Sequence, residues 1–251
     1  MAKIIAIHSF RGGTGKSNFT ANVAALLAAE GYRVGVIDVD IQSPGIHVLF
    51  GMAGEDIRHS LNDYLWGRCD IQQAVQDVTP HLGPEITGRV FLIPSSIKPG
   101  EITRVLREGY NAKLLTRGLR SLIQALNLDV LAIDTHPGLN EETLLSIVIS
   151  HVLAIILRPD HQDYEGTGVA VEVARQLNVP RILLVVNKVP PILDAGAVQT
   201  QVEDAYGYQV AAVLPHSDEL MALASGGIFA MLYPDHPVTA LYRQAATRLV
   251  T

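Results

Sequence analysis

Lys3-Ile4-Ile5-Ala6-Ile7-His8-Ser9-Phe10-Arg11-Gly12-Gly13-Thr14-Gly15-Lys16-Ser17-Asn18 is the stretch on which the fold turns. Its first part is an apolar, β-branched run with the composition of a strand buried on both faces. Its glycine-rich centre opens directly onto a helical pattern over 18–30, which reads as amphipathic. Strand, glycine turn and helix in that order form the context a phosphate-binding loop requires. Glycines let the backbone curl so that successive N–H groups converge on phosphate oxygens, and the positive end of the following helix points at the same place. Gly12, Gly13, Thr14, Gly15, Lys16, Ser17 and Asn18 are therefore the candidate nucleotide-binding residues. Lys16 is expected on the β- and γ-phosphates, and the Ser17 hydroxyl on a Mg²⁺ ion that keeps several waters. The strict P-loop pattern asks for glycine where this chain has Phe10, so the match is incomplete.

Similar apolar runs recur near 33–37, 90–93, 129–133, 152–157, 181–186 and 209–214, most of them without period-two alternation. Helical patterns lie between them, over 113–126, 141–150, 164–177, 198–205 and 218–225. Alternating strand and helix predict an α/β fold with a mainly parallel, twisted sheet and helices on both faces, whose ligands bind at the carboxyl ends of the strands. The least regular segment, 51–88, is expected to carry short helical pieces at 59–66 and 71–78. No repeat and no long linker divides the chain, so residues 1–251 read as one domain.

Bulk composition narrows the function classes. With 48% apolar residues and no uninterrupted apolar run of membrane-spanning length, a soluble protein is expected. The first residues run straight into a strand without the pattern of a secretory leader, which predicts a cytoplasmic location. Cys69 is the only cysteine, so neither an internal disulfide nor a Cys-x-x-Cys pair can form. The histidines lack the i, i+4 pairing of a helical zinc motif. A formal charge of −6 argues against wholesale wrapping by nucleic acid but leaves room for a local basic patch.

Three carboxylates stand at strand ends. Asp38 and Asp40 follow the run at 33–37, and alternation along an extended chain points both to one side. The same pair also suits a second reading, capping of the turn at 43–45. Asp134 ends the run Val130-Leu131-Ala132-Ile133, where a carboxylate can hold Mg²⁺ through a water.

The string from Arg11 to Ser17 resembles the variant P-loop of the MinD/ParA ATPases. The resemblance extends through Asp38-Val39-Asp40, the Asp134 strand, the segment 158–167 and Asn187-Lys188, nearly the whole chain. It implies a P-loop ATPase that hydrolyses Mg-ATP slowly and dimerises around two sandwiched nucleotides. Asp40 then orients the attacking water, while Asp38 supports the loop and the metal together with Ser17 and Asp134. Arg11 replaces the signature lysine that enters the partner's site, keeping the charge in a planar fork. Asn187 reads the adenine edge with a donor and an acceptor, and Pro215, His216, Ser217 and Asp218 wrap the base from the other side. Asn187 as an ordinary strand-end turn residue is the plainer alternative. His136 stands where these relatives commonly have proline and is given no catalytic role, only that of a turn histidine with a satisfied hydrogen bond.

The surface on which such a switch acts is less defined. Membrane-binding relatives end in a basic amphipathic helix, whereas residues 241–251 here are weakly basic and poorly separated into faces, so membrane contact loses ground. Lys98, Arg104, Arg107, Lys113, Arg117 and Arg120 form a locally basic region, and the last three share a helical face. Doubled in an ATP-dependent homodimer, this stripe is suited to sequence-independent contact with DNA phosphates and a nucleoid-associated location; it is equally an ordinary solvated face. The resulting expectation is an ATPase that positions or partitions a chromosome, plasmid or protein assembly with an adaptor or activating protein. The alternatives are an ATP-sensing protein-binding regulator with little hydrolysis and a membrane-associated MinD-like division-site protein.

Overall fold

Eight strands and eleven helices alternate along residues 2–251, the part of the chain described by the computed structural model. β1 (Lys3–His8) leads through the glycine loop into α1 (Lys16–Ala29), followed by β2 (Arg33–Asp38) and the short α2 (Ile46–Leu49) and α3 (Leu61–Leu65). A two-residue β3 (Gln76–Asp77) precedes β4 (Arg89–Ile93), α4 (Pro99–Glu108) and α5 (Ala112–Ala125). The second half runs through β5 (Val130–Asp134), α6 (Glu141–Ile149), β6 (Val152–Leu157), α7 (His161–Gln176), β7 (Ile182–Val189), α8 (Ala195–Tyr206) and β8 (Val210–Pro215). It closes with α9 (Asp218–Leu223), α10 (Phe229–Leu232) and α11 (Pro237–Val250).

The strands form a single sheet in the order β3-β4-β2-β5-β1-β6-β7-β8. Every pairing is parallel except that of β3 with β4. The expectation of a mainly parallel sheet covered by helices on both faces therefore holds. β1 lies between β5 and β6, and the order of chain crossovers reverses there, which opens a crevice beyond its carboxyl end. Alternate strand residues feed two layers. Ile5, Ile7, Val34, Val36 and Val130 pack with α1 and α11. Ile37, Leu131 and Ile133 pack with α3 and α5 on the other face, and Ala6, Leu153 and Ile155 with α7.

Three elements differ from expectation. α1 is not amphipathic: every residue from Phe19 to Ala28 is buried, because the sheet covers one side and α2, α10 and α11 the others. The piece expected to be helical at 71–78 is a 3₁₀ turn, Ile71–Ala74, followed by β3. The free edge of β4 supplies the partners there, including the Val90 carbonyl that accepts from the Val78 amide. The C-terminus is a regular helix with well-separated faces, since Val238, Tyr242, Ala245, Ala246 and Leu249 of α11 are buried against α1 and β8. Its apolar face is thus spent on the core.

Candidate functional site

The loop joining β1 to α1 sits at the topological crevice. Gly13 and Gly15 have φ of 78° and 92°, conformations that resist a side chain. Gly15 is also packed: a Cβ there would lie 2.4 Å from Nδ2 of Asn187. Because Gly15 caps α1 without any side-chain cap, the helix keeps its first N–H groups for an external acceptor. A cleft of about 270 Å³ lies over them, lined by the loop, Ser9, Asp40, Ser43 and Pro137. Phe10, standing where the strict pattern has glycine, packs on α7 so closely that a Cβ at Gly166 would meet its ring at 2.2 Å. The aromatic ring thus anchors the loop's entrance.

Lys16 is buried, and its Nζ lies 3.2 Å from Oδ1 of Asp134. Thr20, one helical turn further on and outside the local glycine–lysine–serine motif, donates its hydroxyl to the same oxygen at 3.2 Å. Asp38 is register partner to Asp134 on the adjacent strand and is fully buried. Burial, with Asp134 and Asp40 beside it, pushes the Asp38 carboxyl well above the usual carboxylate range, against the opposing pull of Lys16. Buried carboxylates crowded in this way gain from a nearby divalent cation. No group of three or more His, Cys, Asp or Glu side chains forms a metal cage among the described residues. The Ser17 hydroxyl with the Asp134 and Asp38 carboxylates fits Mg²⁺, which takes one or two such oxygens and fills its shell with water and substrate phosphates. Beneath the loop His8 is buried, with Nδ1 3.1 Å from the Thr135 hydroxyl and Nε2 without a protein partner. Burial, then the charge of Lys16, lowers its pKa to about 3.

Asp38 and Asp40 cap the turn that follows them, as the plainer reading of this pair expects. Asp38 accepts the Asp40 and Gly45 amides at 3.0 and 3.3 Å, and Asp40 Oδ1 accepts the Ser43 amide at 3.1 Å. Asp40 Oδ1 has a further partner, Nδ1 of His136 at 2.6 Å. The turn histidine thus has the satisfied bond expected of it, made to the carboxylate expected to handle water. Arg11 is partly exposed, bonded through Nη1 to Oε1 of Gln162 and 3.8 Å from Asp163 at the start of α7.

Asn187, at the end of β7, is buried and turned to the loop: Nδ2 donates to the Thr14 carbonyl at 2.7 Å, and Oδ1 accepts the Lys188 amide at 2.9 Å. Both its polar ends are engaged within the chain. Lys188, which sequence reading did not place in the site, donates from Nζ to the Gly13 carbonyl at 2.9 Å. Pro215 ends β8; His216 donates its amide to Val189 O, Ser217 caps α9 by accepting the Leu220 amide at 3.1 Å, and Asp218 lies 3.3 Å from His216 Nε2. These four border the β7 end, and none lines the cleft over the glycine loop.

The basic region divides between two helices. Arg104 of α4 is engaged, stacked over Trp66 at 4.6 Å and paired with Glu108 at 2.8 Å. Lys113, Arg117 and Arg120 line one exposed cleft on α5 and have no ion-pair partner among the described residues. Cys69 is half-buried, and burial with Asp63 and Asp70 nearby pushes its thiol up, away from the reactive thiolate. No helix among the described residues is long and apolar enough to cross a membrane.

Comparisons with known proteins identify the family and the fold. Residues 1–249 match the ParA family, described as NUBPL iron-transfer P-loop NTPase. An uncharacterized ATP-binding protein of Methanocaldococcus jannaschii is 28% identical over 256 residues, covering 100% of this chain and 88% of the relative. An iron-sulfur cluster carrier protein of Pseudomonas fragi is 29% identical, covering 97% of this chain and 83% of its own length. Among solved structures, the septum site-determining protein MinD of Pyrococcus horikoshii, complexed with Mg-ADP, superposes with a TM-score of 0.81 at 19% identity, over 99% of this chain and 96% of that one. At that identity the likeness is one of fold.

Proposed function

The chain belongs to the ParA family of P-loop NTPases, and on that premise we propose that it is an Mg-ATP-dependent dimerising switch that positions or partitions a cellular cargo. The observation that carries the reading is the buried Lys16–Asp134–Thr20 cluster behind a glycine-lined cleft. Lys16 is held beside the place where phosphates dock, and exchanging Asp134 for a β- or γ-phosphate oxygen preserves its charge pairing. The loop amides and the α1 terminus hold the phosphate chain. When bound through Ser17, with Asp134 and Asp38 behind it, Mg²⁺ neutralises charge on the phosphate oxygens. Asp40 holds and orients the water that attacks the γ-phosphorus; the bond to the bridging oxygen breaks, and phosphate leaves ADP behind. Asn187 turns from Thr14 to the adenine edge, and the segment 215–218 closes on the base. Arg11, released from Gln162, reaches the nucleotide of a second copy.

Several relatives are named iron-sulfur cluster carriers, and one observation weighs against extending that to this chain. A [4Fe–4S] or [2Fe–2S] cluster takes four protein ligands, normally thiolates. Cys69 is the only cysteine, so a homodimer offers two, each with its thiol form favoured. The free cations on α5 instead support a hold on DNA phosphates, and a protein adaptor or activator is expected to trigger turnover. The apolar face of α11 is buried against α1 and β8, so this helix is not itself free to lie on a membrane.

The test is Asp40→Ala. It is expected to retain ATP-dependent dimerisation by light scattering while phosphate release falls to background. Hydrolysis by this variant at the parental rate would remove Asp40 from the mechanism.

A further inference from the structure

We propose that His136 is a positioning residue for hydrolysis: its Nδ1–H fixes Oδ1 of Asp40 and leaves Oδ2 to hold the attacking water. The inference rests on the reading of Asp40 as the water-orienting carboxylate and adds a residue from a distant part of the chain. Oδ1 of Asp40 receives two donors, the Ser43 amide at 3.1 Å and His136 Nδ1 at 2.6 Å, whereas Oδ2 has no protein partner among the described residues. A carboxylate oxygen is an acceptor, so the tautomer that suits this contact carries its hydrogen on Nδ1. The side chains of Asp40 and His136 are 12% and 22% exposed, so water competes weakly for the contact. Asp40 also lines the cleft over the glycine loop.

The two donors have different effects. Ser43 belongs to the same turn as Asp40 and moves with it. A carboxylate held only there keeps a soft terminal torsion, because rotation about its last bond has no sharp staggered wells. His136 follows β5 on a separate support. The Thr135 hydroxyl and amide both donate to the Ile7 carbonyl at 3.0 and 3.2 Å, and the His136 carbonyl accepts the Thr143 hydroxyl of α6 at 3.1 Å. The backbone that carries the imidazole is thereby tied to β1, the strand that leads into the phosphate loop, and to α6. The imidazole ties the Asp40 turn to that frame, and the free oxygen keeps its bearing on the γ-phosphate.

Three variants and one spectrum test this. His136→Ala is expected to lower kcat by about 10- to 100-fold, as loss of a partner that orients a functional group typically does. Its KM for ATP should stay within about twofold, and its ATP-dependent dimer should persist, since the interaction matters only at the reacting water. His136→Asn, whose amide nitrogen stands where Nδ1 stands, is expected to recover most of the rate. In nucleotide-free protein, the ¹⁵N signal of His136 Nδ1 should be that of a protonated nitrogen and should move toward the tautomeric average in Asp40→Ala. An Ala variant with parental kcat beside an inactive Asp40→Ala overturns the role of His136 alone. An active Asp40→Ala overturns both readings. Failure of Asn to rescue, together with a raised KM, or an Nδ1 signal indifferent to Asp40, also overturns it. Should the Ala variant not fold, the Asn variant and the spectrum decide.

Discussion

Gly15→Ala is the most demanding substitution the loop can be asked to bear. The position has φ 92° and ψ 18°, outside the regions a side chain adopts without strain, which costs about 1–2 kcal/mol. The new Cβ would lie 2.4 Å from Nδ2 of Asn187, so Asn187 must leave the Thr14 carbonyl that it holds at 2.7 Å. Losing that buried bond adds about 1–2 kcal/mol. The nucleotide-free protein should therefore lose roughly 3 kcal/mol, and Mg-ATP should stabilise it little, because the loop amides no longer converge. A double-mutant cycle isolates the mechanism. Asn187→Ala alone loses the same bond, about 1–2 kcal/mol, so the double variant should cost about 1–2 kcal/mol less than the sum of the singles. Urea unfolding of the four proteins, with and without Mg-ATP, measures each quantity. Strict additivity, or an Ala variant as stable as the parent, would refute the packing of Asn187 on the loop.

Lys16→Ala strands Asp134 in the interior with Thr20 as its remaining polar partner, and breaking such a pair costs about 3–5 kcal/mol; melting should show both this loss and no protection by Mg-ATP. His8 makes the fold acid-sensitive. Its pKa is about 3 when folded against an ordinary 6.5, so the unfolded chain binds more protons between those values and stability falls as pH falls through that window. From pH 7 to pH 5 the loss from this one site is about 2 kcal/mol, and His8→Gln should flatten the measured dependence by that much. If the ATP-bound dimer holds DNA through Lys113, Arg117 and Arg120 of both copies, log Kobs should fall with log salt at a slope of about −5. Replacing Arg117 and Arg120 by Ala should make that slope shallower by about 3 to 4 in a filter-binding titration, and an unchanged slope removes α5 from the interface.

The strands were legible because parallel strands covered on both sides need unbroken apolar runs. The run at 152–157 is β6 to the residue, and that at 33–37 stops one short of Asp38. Elements whose burial rests on weakly apolar side chains were not. Of α4 only Val105 is buried, and its mostly polar sequence leaves few apolar residues to mark it. The buried face of α11 includes Thr239, Ala245 and Ala246, which add little hydropathy although their spacing is regular. The same division holds in the site. The phosphate loop is a local motif, readable because its glycines, lysine and serine are consecutive. The bonds of Asn187 to Thr14 and His136 to Asp40 join residues 173 and 96 positions apart, which only the strand order brings together. Lys188 and Thr20 take part for the same reason, one within the last residues of β7 and one a turn into α1.

Isothermal titration of the nucleotide-free protein with Mg-ATP, beside Lys16→Ala, bears most directly on the central assignment. Saturable heat at one nucleotide per chain, absent from the variant, is the predicted result. A folded parent that evolves no heat of binding, or a Lys16→Ala protein that binds as tightly as the parent, contradicts it.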